Sequence, residues 1–362
     1  MKKFLKYTIF ASAATIAAQS ATAAELKIFN WSDYIDEEVI SDFTKETGIE
    51  VTYDVFDSNE VLETKLLAGG TGYDIVVPTA SFLSRQIQAG VFQKLDTAAL
   101  PNLANMWKEI QDNTSKYGPL NEYSINYMWG TTGIGYNVGK VKEITGEDAI
   151  TSWDMIFKPE NLAKFKDCGV HMLNAPDEII PAALNYLGID PNTDKAEDLA
   201  KAEELLVSIR PFVQKFHSSE YINALANGDI CLAVGWSGDV LQARDRADEA
   251  DNGVEIAYAI PEEGALMWFD QMAIPADAPN VKEANMFLDY IMRPEVIAKA
   301  SNYVYYANGN KASQPLLEED LIGDPGVYPT EEATKRLYAK LAYDPKTQRV
   351  ATRIWTKVTT GQ

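Results

Sequence analysis

Histidine and cysteine are almost missing from this chain: of 362 residues, two are His and two are Cys. With only His171 and His217, a histidine-based metal centre lacks a ligand set and a Ser–His hydrolase has little choice of base. Basic residues are also few, 32 Lys and Arg against 53 Asp and Glu. A field of that sign repels nucleic acid and anionic lipid and draws cations. Past the first residues, no apolar run approaches the ~18 residues of a membrane-spanning helix. Internal repeats, coiled-coil heptads and low-complexity linkers are lacking as well.

The usual catalytic fingerprints are incomplete. Gly235-Trp236-Ser237-Gly238-Asp239 is close to a nucleophile elbow but ends in Asp instead of Gly. Gly133-Ile134-Gly135 lacks the third Gly of a dinucleotide site, and Gly69-Gly70-Thr71-Gly72 lacks the Lys of a phosphate loop. No calcium-loop pattern occurs, so neither a metal nor a cofactor is expected. Paired carboxylates abound in so acidic a chain, which leaves a glycoside hydrolase as the enzymatic competitor.

The first residues have the pattern of an export signal. Lys2, Lys3 and Lys6 precede an apolar stretch from Thr8 to Ala18, and Ala21-Thr22-Ala23 supplies small residues at a cleavage point. Residues 1–23 are therefore expected to be removed, leaving a periplasmic chain that starts at Ala24. Losing those three lysines takes the formal charge from −21 to −24. No Cys follows the cleavage point, so no lipid anchor is expected. Cys168 and Cys231 each adjoin a β-like stretch and suit one disulfide in an oxidising compartment, with two separate buried thiols as the alternative.

The remaining length exceeds what one hydrophobic core serves, which predicts two lobes. Leu26–Phe29 and Glu50–Phe56 alternate as strands, Asp36–Thr47 is amphipathic and ends at Gly48, and Ser58 caps a helix through Ala68. A strand at Asp74–Val77 stops at Pro78, and a helix follows through Ala89. Strands are also predicted at Gly133–Asn137, Gly169–Leu173, Ile230–Val234, Val254–Ala259 and Met272–Ile274. Helices are predicted at Lys195–Phe216, Ser219–Ala226, Val281–Ile291, Lys335–Leu341 and Arg349–Thr356. Strands separated by helices mean an α/β fold with a mostly parallel sheet.

Acidic and aromatic residues recur together at the ends of these elements: Trp31-Ser32-Asp33-Tyr34, Trp236-Ser237-Gly238-Asp239, Trp268-Phe269-Asp270 and Tyr303 to Tyr306, with Glu178 beyond another strand. Taken singly, each Trp is more often a core residue and each Asp merely solvated. Together, at the carboxyl ends of strands where such folds bind ligands, they suit an alkyl diammonium, cationic at its tips and apolar between. Each ammonium–carboxylate hydrogen bond contributes roughly 1.5–3 kcal/mol and each ring face about 0.5–2 kcal/mol. After ordering and desolvation, roughly 8 kcal/mol would remain, which is micromolar binding.

At these same residues the chain resembles the periplasmic polyamine-binding proteins of bacterial uptake transporters, and most of all the putrescine-binding ones. Asn30-Trp31-Ser32-Asp33-Tyr34, Val77-Pro78-Thr79-Ala80-Ser81-Phe82, Phe216-His217-Ser218-Ser219, Asn227-Gly228-Asp229-Ile230-Cys231, Gly235-Trp236-Ser237-Gly238-Asp239 and Tyr305-Tyr306-Ala307-Asn308 carry the resemblance in order. It implies a type II periplasmic binding protein: two lobes, each a mostly parallel sheet flanked by helices, joined by a hinge, without catalysis. The lobes would comprise 24–127 with 251–342 and 128–250 with 343–362. Ser32, Asp33 and Asp270 would receive one amine and Glu178 and Asp239 the other. Trp31, Trp236, Trp268 and Tyr306 would flank the methylenes, with Tyr34 beside them and Thr79, Ser81 and Ser218 acting through hydroxyls. The resemblance also implies recognition by an ABC transporter permease, and a monomer is expected; the same residues would permit the alternative of a polyamine-dependent partner of a membrane receptor. Trp268 matches spermidine-preferring relatives, where putrescine-binding ones carry Phe, whereas Asp239 matches the putrescine type; putrescine is favoured.

Overall fold

A computed structural model describes residues 24–361. The expected export signal, residues 1–23, lies outside them. Ten strands form one continuous mixed sheet: β1 (Glu25–Trp31), β2 (Glu50–Phe56), β3 (Ile75–Val76), β4 (Ser124–Asn137), β5 (Val170–Met172), β6 (Lys215–Phe216), β7 (Leu232–Trp236), β8 (Ile256–Ala259), β9 (Leu266–Ala273) and β10 (Ala307–Asn308). The order is β2-β1-β3-β9-β4-β7-β5-β6, with β8 and β10 also on β4. The parallel pairing expected from the alternating pattern holds in the outer trios, β2-β1-β3 and β7-β5-β6. The strands between them pair antiparallel.

Two hydrophobic cores flank this sheet. One gathers Leu26, Phe43, Ile75, Met128, Phe269 and Phe287, and the other Ile134, Trp153, Ile179, Leu206, Val234 and Ile354. The 14-residue β4 is buried along its whole length and serves both. Its first part pairs with β9, and from Thr132 onward it pairs with β7 and β8. A central strand belonging to two cores supplies a crossing without a floppy linker. Ile256 and Ala259 of β8 lie in the second core.

Local signals account for much of the helical structure. Asp36 accepts the Glu38 amide at the start of Glu37–Thr47, and Gly48 ends that helix with φ +72°, a conformation that favours Gly. Ser58 accepts the Val61 amide at the start of Asn59–Ala68. Two expected helices depart from the reading. The helix at 195 stops at Ile209, because Pro211 lacks an amide donor, and Lys215–Phe216 instead forms β6 beside β5. Lys335–Leu341 is not a helix either. Tyr338 exchanges backbone hydrogen bonds with Ala265 and Met267, and the segment crosses extended between the lobes.

Cys168 and Cys231 form a disulfide across a separation of 63 residues, just ahead of the paired β5 and β7. Closing a loop of that length restricts the unfolded chain by about 4 kcal/mol. Cys231→Ser is therefore expected to lower unfolding free energy by about that much in denaturant titrations, with a steeper slope because the freed unfolded chain exposes more surface. A loss below ~1 kcal/mol would contradict a structural role for the bridge.

Candidate functional site

The two lobes meet around a narrow, partly open cleft. It is walled by Trp31, Ser32, Tyr34, Asp57, Thr79, Glu178, Ser218, Ser219, Trp236, Asp239, Trp268, Asp270 and Tyr306. No Lys or Arg lines it among the described residues.

The sheet and the helix starts place these groups. On β9, Trp268 and Asp270 are two residues apart and share the cavity face, while Phe269 points into the core. Trp31 ends β1 and holds its indole N–H on the Val77 carbonyl at 2.9 Å. Thr79 caps the helix Ala80–Gln88, Glu178 lies in the first turn of Pro176–Tyr186, and Asp239 lies in the first turn of Ser237–Ala250. Acids at helix N-termini sit at the positive end of the helix dipole. Tyr306 lies just before β10, its ring against the backbone of Gly238: a Cβ there would lie 2.5 Å from the ring, so only Gly allows this approach.

Asp270, Asp239 and Glu178 are each held by hydroxyl or indole donors. Tyr34 Oη donates to Asp270 Oδ2 at 2.9 Å and Thr79 Oγ1 to Asp270 Oδ1 at 2.7 Å. Asp239 accepts from Tyr221 Oη at 2.7 Å and from Tyr306 Oη at 2.6 Å. Glu178 accepts from the Trp236 indole at 2.8 Å and from the Thr132 hydroxyl. Burial pushes Glu178, Asp239 and Asp270 each up to about 7, because charge is costly out of water and the donors offset only part of that cost. Tyr34, Tyr221 and Tyr306 are raised well above the usual phenol value, first by burial, and so remain hydrogen-bond donors. The rings meet edge to face: Trp31 with Trp236 at 5.4 Å, Tyr34 with Tyr306 at 5.1 Å and Trp268 with Tyr306 at 5.4 Å. The space is thus acid at several points, aromatic between them and without a cation of its own.

Most residues singled out from the sequence meet in this cavity. Asp33 departs from the expectation. It is exposed, in the left-handed region at φ +54°, and its carboxylate pairs with Arg246 at 2.7 Å across the cleft instead of facing in. Ser81 lines a neighbouring chamber, because its place in the first turn of Ala80–Gln88 turns it away from Asp270. Sequence reasoning missed Asp57 and Tyr221. Asp57 directly follows β2, so the strand-end rule could have found it. Tyr221, the hydroxyl donor to Asp239, sits in a helix with nothing local to mark it.

The family model for bacterial extracellular solute-binding proteins matches residues 38–328. The putrescine-binding periplasmic protein PotF of Escherichia coli (strain K12) is 54% identical over 353 residues, covering 97% of this chain and 95% of that protein. The putrescine-binding periplasmic protein SpuD of Pseudomonas aeruginosa (strain UCBPP-PA14) is 52% identical over the whole of both chains. Among solved structures, the spermidine/putrescine substrate-binding protein PotD of Streptococcus pneumoniae superposes with a TM-score of 0.75 at 28% identity, covering 93% of this chain and 99% of that one.

Proposed function

The chain belongs to the bacterial extracellular solute-binding protein family, and on that premise we propose that its lobes close on putrescine. It is a periplasmic polyamine-binding component of an ABC transporter, with the two-lobed type II fold, and it is not an enzyme. The carboxylates that left a glycoside hydrolase open as a reading serve here to hold a cation. Residues 1–23 act as the cleaved export signal, and the mature protein acts as a monomer that presents its closed form to the permease.

One observation carries the assignment: a cavity walled by Glu178, Asp239, Asp270 and five aromatic rings, with no Lys or Arg among the described residues. Asp270, braced by Tyr34 and Thr79, takes one ammonium. Glu178 and Asp239, from the other lobe, take the second. Trp31, Trp236, Trp268 and Tyr306 cover the methylenes, and Ser32 and Ser218 offer hydroxyls. Because the acceptors come from both lobes, a diammonium bridges them and favours the shut state by its differential affinity. Asp33 contributes through its pair with Arg246 across the cleft.

Calorimetric titration with putrescine, cadaverine, spermidine, agmatine and a neutral sugar tests this. Putrescine should bind at about micromolar or tighter and the sugar not at all. Heat from the sugar with none from any amine would end the reading.

A further inference from the structure

A second, partly open space adjoins the first and shares Trp31, Asp57, Thr79, Glu178, Trp236 and Trp268 with it. A chain longer than a diammonium, anchored in the inner cavity, would extend there. Two further carboxylates, Glu60 and Asp177, line this outer space. On that basis alone it should welcome a third ammonium. It already contains one, because its wall includes Lys340.

Lys340 is only 4% exposed. Its ammonium donates to the Leu341 carbonyl and lies 3.4 Å from the centre of the Tyr343 ring. No carboxylate among the described residues forms an ion pair with it, although Asp177 is near enough to favour its charge. Its backbone is held in place: the Leu341 amide donates to Asn192 Oδ1 at 2.8 Å, and Tyr338 is hydrogen-bonded into the crossing beside β9. Burial lowers the ammonium to about 8, which leaves it mainly charged at neutral pH. Arg85 adds a second positive group beside the same space, bound to Glu63 at 2.6 Å and 3.6 Å from Asp177.

A buried ammonium without a paired carboxylate is costly, and a well-packed neutral side chain of similar length would avoid that cost. Its charge adjoins the space into which a longer polyamine would send its next charge. Like charges held close in a desolvated space repel strongly, and rejection of the wrong ligand is as much a part of specificity as attraction of the right one.

We propose that Lys340 is a resident cation that limits the ligand to a diamine, by occupying electrostatically the place of a third ammonium. The inference rests on the polyamine reading of the inner cavity. Trp268 bounds both chambers and bears on the same choice of ligand, but it acts through its ring, whereas Lys340 acts through charge.

The test is titration of the full mature protein and of Lys340→Met, Lys340→Gln and Lys340→Arg with putrescine and spermidine. Met and Gln should each bind spermidine at least tenfold more tightly than the parent, with putrescine affinity within about twofold, which also reports that the site is folded. Arg keeps the charge and should keep the parent's ratio of the two affinities. An unchanged ratio in Met and Gln, with putrescine binding intact, would overturn the role of Lys340 and leave the inner site standing. A parent protein that binds neither amine would overturn the polyamine reading beneath it. If Arg gained spermidine affinity as Met does, side-chain shape and not charge would set the limit, and the proposal would fall.

Discussion

Asp270→Asn is expected to weaken putrescine binding by about two to three orders of magnitude while leaving the ligand-free melting temperature level or slightly raised. Asp270 is 5% exposed and accepts from both Tyr34 and Thr79, so it is aimed and immobile before any ligand arrives. Removing one partner of a buried, hydrogen-bonded charge pair typically costs about 3–5 kcal/mol, and about 1.4 kcal/mol corresponds to a factor of ten. The asparagine is nearly isosteric but gives the ammonium no charge to meet. Stability runs the other way. In the shut, ligand-free protein the Asp270 carboxyl is raised to about 7 by desolvation, so its charge at neutral pH opposes the fold and the amide removes that burden. Calorimetry and a thermal scan read both quantities. Affinity within threefold of the parent would displace Asp270 from the site.

Putrescine affinity should fall by about a thousandfold between pH 8 and pH 6. Glu178, Asp239 and Asp270 each lie near 7 in the empty cavity, raised first by burial in every case. A diammonium binds the ionised forms, so below 7 it must first displace protons. Each carboxylate engaged contributes about tenfold across that interval, and the three together about a thousandfold. The ligand-free protein behaves oppositely. With folded values above the unfolded ones near 4, the shut form binds more protons than the unfolded chain between about pH 4 and 7. Its stability from these groups is greatest below that window and declines as pH rises through it. The thermal shift caused by putrescine should therefore be large at pH 8 and shrink at pH 6. Titrations in buffers of different ionisation heat should also reveal proton release on binding at pH 6.5. A flat affinity from pH 8 to 6 would mean that the acids are not the acceptors.

Much of the fold could be read one segment at a time. The Ser58 cap, the stop at Gly48, β2 and the helix Val281–Ile291 depend on residues within a few positions of each other, and they stand where periodicity and capping put them. The mixture of acids and rings at strand ends was legible for the same reason: a β-strand alternates its faces, so Trp268 and Asp270 had to share one.

The remainder depended on partners far along the chain. Lys335–Leu341 has a helical composition but runs extended, because Ala265 and Met267 offer it a backbone edge at the crossing. Asp33 turned outward because Arg246, 213 residues away, provides a countercharge there. Tyr221 and Lys340 carry no local mark of function; Tyr221 acquires one when its helix packs beside Asp239 within the second lobe, and Lys340 when it reaches the outer chamber. Local periodicity and end caps fix what each segment becomes, since their energies come from near neighbours. Which charges face the cavity, and which are neutralised elsewhere, is set by closure of the lobes, since desolvation and Coulomb energy depend on distance in space and not on separation along the chain.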